Sequence, residues 1–164
     1  MKINLFAVLS AMLFVTSCKK DDAVTPAPST VVSFTKTTVT GSQFAPLFEH
    51  QSVVFNSKLW VIGGRKTNTV YSNEIWSGTD GSSWSQTSTV GPVFSTRSGH
   101  QVVVFNNKLW VIGGLDNGSA LNDIWNSTDG TTWTQVTANA AFGIRSLHEV
   151  IVFNNKMWLI GGDG

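Results

Sequence analysis

Three histidines pose the first chemical question of this chain, because His50, His100 and His148 each open a copy of one phrase: HQSVVFNSKLWVIGG, HQVVVFNNKLWVIGG and HEVIVFNNKMWLIGG. Imidazoles that recur in this way invite a metal reading. A single zinc ion, however, holds its ligands at about 2 Å, and equivalent positions on neighbouring repeats stand several ångströms further apart. The expected role is a repeated structural hydrogen bond, with no metal and no cofactor. Two arginines come next: Arg97-Ser98-Gly99-His100 and Arg145-Ser146-Leu147-His148 share one frame, with Leu47 at the matching place in the first copy. A guanidinium offers a planar fork of donors suited to a carboxylate. It can also tie backbone carbonyls between repeats, and both roles stay open. The seven tryptophans could stack sugars, yet all are periodic: Trp60, Trp110 and Trp158, then Trp76 and Trp125, then Trp84 and Trp133. Periodic aromatics are most simply packing between repeats. No nucleophile, oxyanion site or phosphate loop stands out, so no catalytic residue is assigned.

The elements that must position these side chains follow from the repeat itself. A period of about 50 residues is the range of propeller blades. Within each copy a short apolar run such as Val102 to Phe105 meets a two-residue turn, Asn106-Asn107, and returns through Leu109 to Ile112, which predicts a β-hairpin. Both strands are apolar on two faces, as expected of a sheet sandwiched between neighbours. The hairpin stops at paired glycines, Gly63-Gly64, Gly113-Gly114 and Gly161-Gly162, where backbone angles and close approaches forbidden to a Cβ become available. A variable polar loop follows, RKTNTVYS or LDNGSA, and then a third strand, Asn73 to Ser77 or Asn122 to Asn126. Asp80-Gly81 and Asp129-Gly130 predict tight hairpin turns with both residues in the left-handed region. A fourth strand then begins at Ser83-Trp84-Ser85 and Thr132-Trp133-Thr134. Each unit is a four-stranded antiparallel meander in an all-β chain.

The start of the chain reads differently. Lys2, an apolar stretch from Ile3 to Val15 and the small residues Thr16-Ser17-Cys18 predict an export signal over residues 1–18. Cys18 is the single cysteine, so a disulfide within the chain is impossible. Val15-Thr16-Ser17-Cys18 resembles a bacterial lipobox, which implies a lipidated Cys18. Lys19-Lys20-Asp21-Asp22 resembles the tag behind the lipidated cysteine of surface lipoproteins in Bacteroidetes-type bacteria. Residues 19–33, with Pro26, Pro28, Ser29 and Thr30, predict an extended polar tether. A formal net charge of +1 with 13% charged residues leaves no basic stripe for nucleic acid.

From Phe34 to the end, the apolar run, the Gly-Gly pair, the Asn-Asp-Ile-Trp strand and the downstream Trp84 and Trp133 resemble kelch repeats, which build β-propellers. The aromatic before Gly-Gly, usually tyrosine in that family, is tryptophan here. The resemblance implies that arginines of the Arg-Ser-Gly frame, with residues of the loop after Gly-Gly, line a face that captures acidic partner peptides. Carried over, this points to Arg97, Ser98 and Arg145, and then to Arg65, Asp116 and Asn117. The copper oxidases built on this fold need a Tyr-Cys pair, and Tyr71 is the sole tyrosine.

Residues 34–164 hold two full units between partial first and last ones, with Phe34 to Thr38 superposing on a fourth strand. Propellers use about four to eight blades. The expectation is therefore the N-terminal portion of a longer protein, or a short chain that closes its ring by self-association. Isolated, it should be sticky, since unpartnered blades expose apolar faces and strand edges. The function expected is a lipid-anchored scaffold of the outer membrane or cell surface that binds protein or glycan without catalysis. The alternative is part of a sugar-processing enzyme, such as the kelch-type sialic-acid mutarotase, whose site is completed in other blades.

Overall fold

The computed structural model describes residues 35–164. The predicted signal, Cys18, the tether and Phe34 lie outside the described residues. Ten strands follow in three antiparallel groups. The first sheet has the order β1 (Gln51–Phe55), β2 (Lys58–Ile62), β3 (Ile75–Gly78) and β4 (Ser85–Gln86). The second has β5 (Gln101–Phe105), β6 (Lys108–Asp116), β7 (Ser119–Ser127) and β8 (Thr134–Thr137). The last group is the hairpin β9 (Glu149–Phe153) and β10 (Lys156–Ile160).

The first turn of every unit forms as its asparagines dictate. Asn106 and Asn107 take φ of 48° and 55°, Asn154 and Asn155 take 48° and 56°, and Asn56-Ser57 follows suit, matching the right-handed twist of the flanking strands. The Asp-Gly turns form differently from expectation. Only Gly81 and Gly130 are left-handed, at 74° and 79°, while each aspartate caps the two amides beyond the glycine. Asp129 accepts from Thr131 at 2.7 Å and Thr132 at 2.8 Å, and Asp80 from Ser82 and Ser83 at 2.8 and 2.9 Å. These bonds hold the Asp129 carboxyl down at about 2.

Three further boundaries differ from the sequence reading. LDNGSA is no loop: β6 runs on to Asp116, Asn117-Gly118 makes a tight turn, and β7 returns from Ser119. Asn-Gly between strands is itself a strong hairpin signal. The fourth strand of the first sheet shrinks to Ser85–Gln86. Residues 35–39 form no ladder; the nearest backbone bond runs from the Thr40 amide to the Ser82 carbonyl at 3.2 Å.

The core lies between the two sheets. One face of the first sheet contributes Phe55, Trp60, Ile62 and Ile75, and the facing side of the second contributes Val102, Leu109, Val111, Trp125 and Trp133, with Phe94 wedged between. Phe94 meets Trp133 edge-on at 5.0 Å between ring centroids. The next interface uses the same positions with less to fill it. Ile112, Ile124, Phe142, Val150, Met157 and Leu159 surround a cavity of about 160 Å³, because the places held by Trp125 and Trp133 in the first interface have no counterpart among the described residues.

Candidate functional site

The connections from one unit to the next converge on the loops after each Gly-Gly pair, and three matching bridges hold them: Phe48 with Arg65, Ser98 with Leu115, and Ser146 with Asp163. Glu49, Gly99 and Leu147 take φ of 55°, 57° and 55° on the way into β1, β5 and β9. Their backbones link in series, the Gly99 amide donating to Glu49 at 3.0 Å and the Leu147 amide to Gly99 at 2.7 Å. The candidate ligand residues sit on this frame.

Arg97 is corrected from ligand contact to internal tie. It is 0% exposed. Its guanidinium donates to both carboxylate oxygens of Asp123 at 2.8 Å, to the Gly113 carbonyl at 2.9 Å, and to the carbonyl and hydroxyl of Ser95 at 3.2 and 3.3 Å. Every N–H of the fork is thereby engaged, leaving no donor for a partner. Asp123 also accepts from the Trp125 indole at 2.7 Å. Ser98 is likewise buried and donates to Glu49 at 2.8 Å.

Arg145 repeats only part of this pattern. It donates to the Gly161 carbonyl at 3.0 Å and to the Phe142 carbonyl, its Nε has no partner, and no carboxylate reaches it among the described residues. In the first unit, where Leu47 replaces the arginine, Glu74 stands in the place of Asp123 and pairs with Lys66 at 2.6 Å and the Trp76 indole at 3.0 Å. The hydrogen bond from Lys66, with that from the Trp76 indole and the Lys66 charge, holds the Glu74 carboxyl below its usual range against the opposing effect of burial. Arg65 forms an ion pair with Glu49 and lies over the Phe48 ring at 4.7 Å. Asp116 accepts from the Thr96 hydroxyl at 2.8 Å, and Asn117 is exposed at the tip of its hairpin.

The His100 ring faces the backbone of Ile62 and the His148 ring that of the matching Ile112, the repeated structural contact expected, although neither reaches strict hydrogen-bond geometry. The rings of His100 and His148 also occupy space that glycines leave. A Cβ on Gly63 would lie 2.7 Å from Cε1 of His100, and one on Gly64 would lie 2.8 Å from Cβ of His50. The first glycine thus receives the imidazole of the following unit, and the second makes room for the Cβ and backbone of its own unit's histidine. Gly113 meets His148 and Gly114 meets His100 in the same way, as Gly162 meets His148; Gly161 meets nothing within 4 Å. Burial, then the charge of Arg97, pushes His100 down to about 3, while burial and Arg145 push His148 to about 4. Among the described residues no cluster of His, Cys, Asp or Glu could hold a metal ion.

The tryptophans satisfy their N–H groups inside the fold. Trp60, Trp110 and Trp158 donate to the carbonyls of Phe55, Phe105 and Phe153 at 2.9, 2.9 and 3.1 Å, and Trp84 and Trp133 donate to Gly81 and Gly130 at 3.2 and 3.1 Å. A family model described as the KLHDC2/KLHL20/DRC7 Kelch-repeats domain matches residues 20–164. The chain belongs to the kelch-repeat family. No curated protein matches it significantly. Kelch repeats mediate protein interactions, and the kelch frame here keeps its Arg-Ser residues for joining blades. Phe44, Phe94 and Phe142 complete that frame: Phe44 packs edge-on against Trp84 at 5.2 Å, as Phe94 does against Trp133. Sequence reasoning missed these phenylalanines, although their spacing matches that of the histidines. It missed Lys66 as well, because only one kelch unit carries it.

Proposed function

We propose that this kelch chain is a non-catalytic interaction module that captures a carboxylate-bearing protein segment through the loops after its Gly-Gly pairs. The observation that carries this is the difference between units. Arg97 and Ser98 are consumed between blades, whereas Arg65 and Lys66 occupy a loop whose counterpart in the second unit begins with Leu115, and their side chains remain 22% and 35% exposed. Both cations already hold carboxylates, Glu49 and Glu74, so a partner's carboxylates exchange with internal ones. Arg145, free of any carboxylate among the described residues, and the Asp116-Asn117 tip extend the surface. Protein is favoured over glycan because kelch repeats mediate protein interactions and, among the described residues, Trp158 alone of the tryptophans has an exposed ring on which a sugar could stack.

A glutamate-rich peptide labelled for fluorescence anisotropy is the probe. Binding should weaken as salt rises and fall about tenfold in Arg65→Ala, the loss of one charge-assisted contact. An Arg65→Ala variant that binds as well as the parent, or a parent that shows no binding, would sink the reading. We also propose lipid anchoring at Cys18 in the cell envelope, supported by the lipobox-like residues 15–18. Cys18→Ala should move the protein out of the membrane fraction, and unchanged partition would refute the anchor.

A further inference from the structure

We propose that Glu49 is a ligand built into the chain, an inference that rests on the carboxylate-binding function proposed above. Its carboxylate occupies Arg65 as a competitor and so decides which acidic segments that arginine accepts, admitting runs of neighbouring carboxylates and rejecting isolated ones.

Glu49 is held at both of its oxygens. Oε1 accepts from the Arg65 guanidinium, and Oε2 accepts from the Ser98 hydroxyl at 2.8 Å. One oxygen therefore faces the loop after Gly63-Gly64, and the other is pinned by the connection that enters the second unit. The Phe48 ring lies under the guanidinium at 4.7 Å, so cation and carboxylate are both placed before any partner arrives. The pair stays partly open, with side chains 22% and 27% exposed, and ion pairs that water reaches are weak enough to exchange.

The frame itself does not need this carboxylate. The position of Glu49 is left-handed in every unit, at φ of 55°, 57° and 55°, and Gly99 and Leu147 fill it in the second and third without an acid. The residues that bridge to these connections are Arg65, Leu115 and Asp163 in turn. Among the described units the acid thus stands only where the loop opens with arginine, and it stands there in a backbone conformation that disfavours any side chain. A role in building the blades would call for it in each unit.

Selectivity is the consequence. A carboxylate tethered beside its cation competes at a high effective concentration. An isolated carboxylate from a partner exchanges one contact for an equal one and gains nothing. A segment with adjacent carboxylates reaches Arg65 and the neighbouring Lys66 together, so its second contact is intramolecular as well. Once displaced, Glu49 keeps its bond from Ser98.

Two labelled peptides with amidated C-termini are the probes, one with a single glutamate among glycines and serines and one with an unbroken run of glutamates. Their binding to the full chain in mild detergent is followed by fluorescence anisotropy. The parent should bind the run and not the single glutamate. Glu49→Gln, which keeps the side-chain length and an oxygen for the Ser98 hydroxyl, should bind the run about tenfold more tightly and take the single glutamate too. Glu49→Gly, carrying the residue that the second unit has at this φ, should show the same gains and guards against a packing fault peculiar to glutamine. Both gains should vanish when Arg65→Ala is added, a coupling that a mere change in net charge would not produce. A parent that takes both peptides equally, or a gain that survives without Arg65, overturns the proposal. Glu49 variants that gain nothing over a parent that binds the run overturn it alone and leave the carboxylate-binding function standing. No binding of either peptide by parent and variants alike sinks both.

Discussion

Arg97 carries its charge into a site closed to solvent, and Asp123, 14% exposed at its side chain, is the group that neutralises it. Removing one member of such a pair leaves a buried charge, whereas replacing both by apolar side chains leaves none. Asp123→Ala should therefore cost about 3–5 kcal/mol in urea unfolding, and Arg97→Leu combined with Asp123→Leu should cost less than that single change. A single variant as stable as the parent would show that the carbonyls of Gly113 and Ser95 suffice to hold the guanidinium. The planar fork of Arg97 was visible in the sequence as chemistry suited to a carboxylate. Its partner was not, because Asp123 lies on the third strand and only the folded interface brings that strand beneath the Arg-Ser frame.

Strands and turns explain why the repeat is legible while its site is less so. Each hairpin is specified locally, by apolar runs and an asparagine turn, and these features sit where the sequence places them. The Asn117-Gly118 turn carried an equally local signal and was obscured by its position inside a polar, variable stretch. Contacts across units leave their mark only as glycines. Gly130 and Gly118 have similar φ, 79° and 84°, but a Cβ at Gly130 would strike the Trp60 ring while one at Gly118 meets nothing within 4 Å. Gly118→Ala should cost about 1–2 kcal/mol, the strain of a left-handed alanine, and Gly130→Ala about 1–3 kcal/mol more through overpacking. Equal losses by calorimetry would show that Trp60 yields freely. The paired histidines and glycines obey the same logic: their recurrence was plain, and which glycine faces which ring required the geometry of two adjacent units.

At the scale of the molecule, buried neutral imidazoles link folding to pH. His100 and His148 sit near 3 and 4 in the fold, against about 6.5 when unfolded. Between those values the unfolded chain binds more protons, so stability is complete above about pH 6.5 and declines as pH falls toward 4 and below. The depressed carboxyls Glu74, Asp80 and Asp129 contribute in the same direction only below their ordinary values of 4.5 and 3.8. The interval from pH 6.5 to 5 therefore belongs to the histidines. Denaturant midpoints should drop across it, and the drop should shrink in His100→Asn; a flat profile over that interval would contradict the burial of neutral rings.

The serial amide bonds through Glu49, Gly99 and Leu147 all point the same way round, each unit donating to the one before it. Every unit therefore offers one acceptor forward and one donor backward, whatever its loops contain. Such a module can be duplicated or deleted whole in a gene, in steps of about 50 residues, without leaving either neighbour short of a bond. The fold grows by copying, and the loops are then free to diverge one unit at a time, as the Arg65-Lys66 loop and the Asn117-Gly118 hairpin have done.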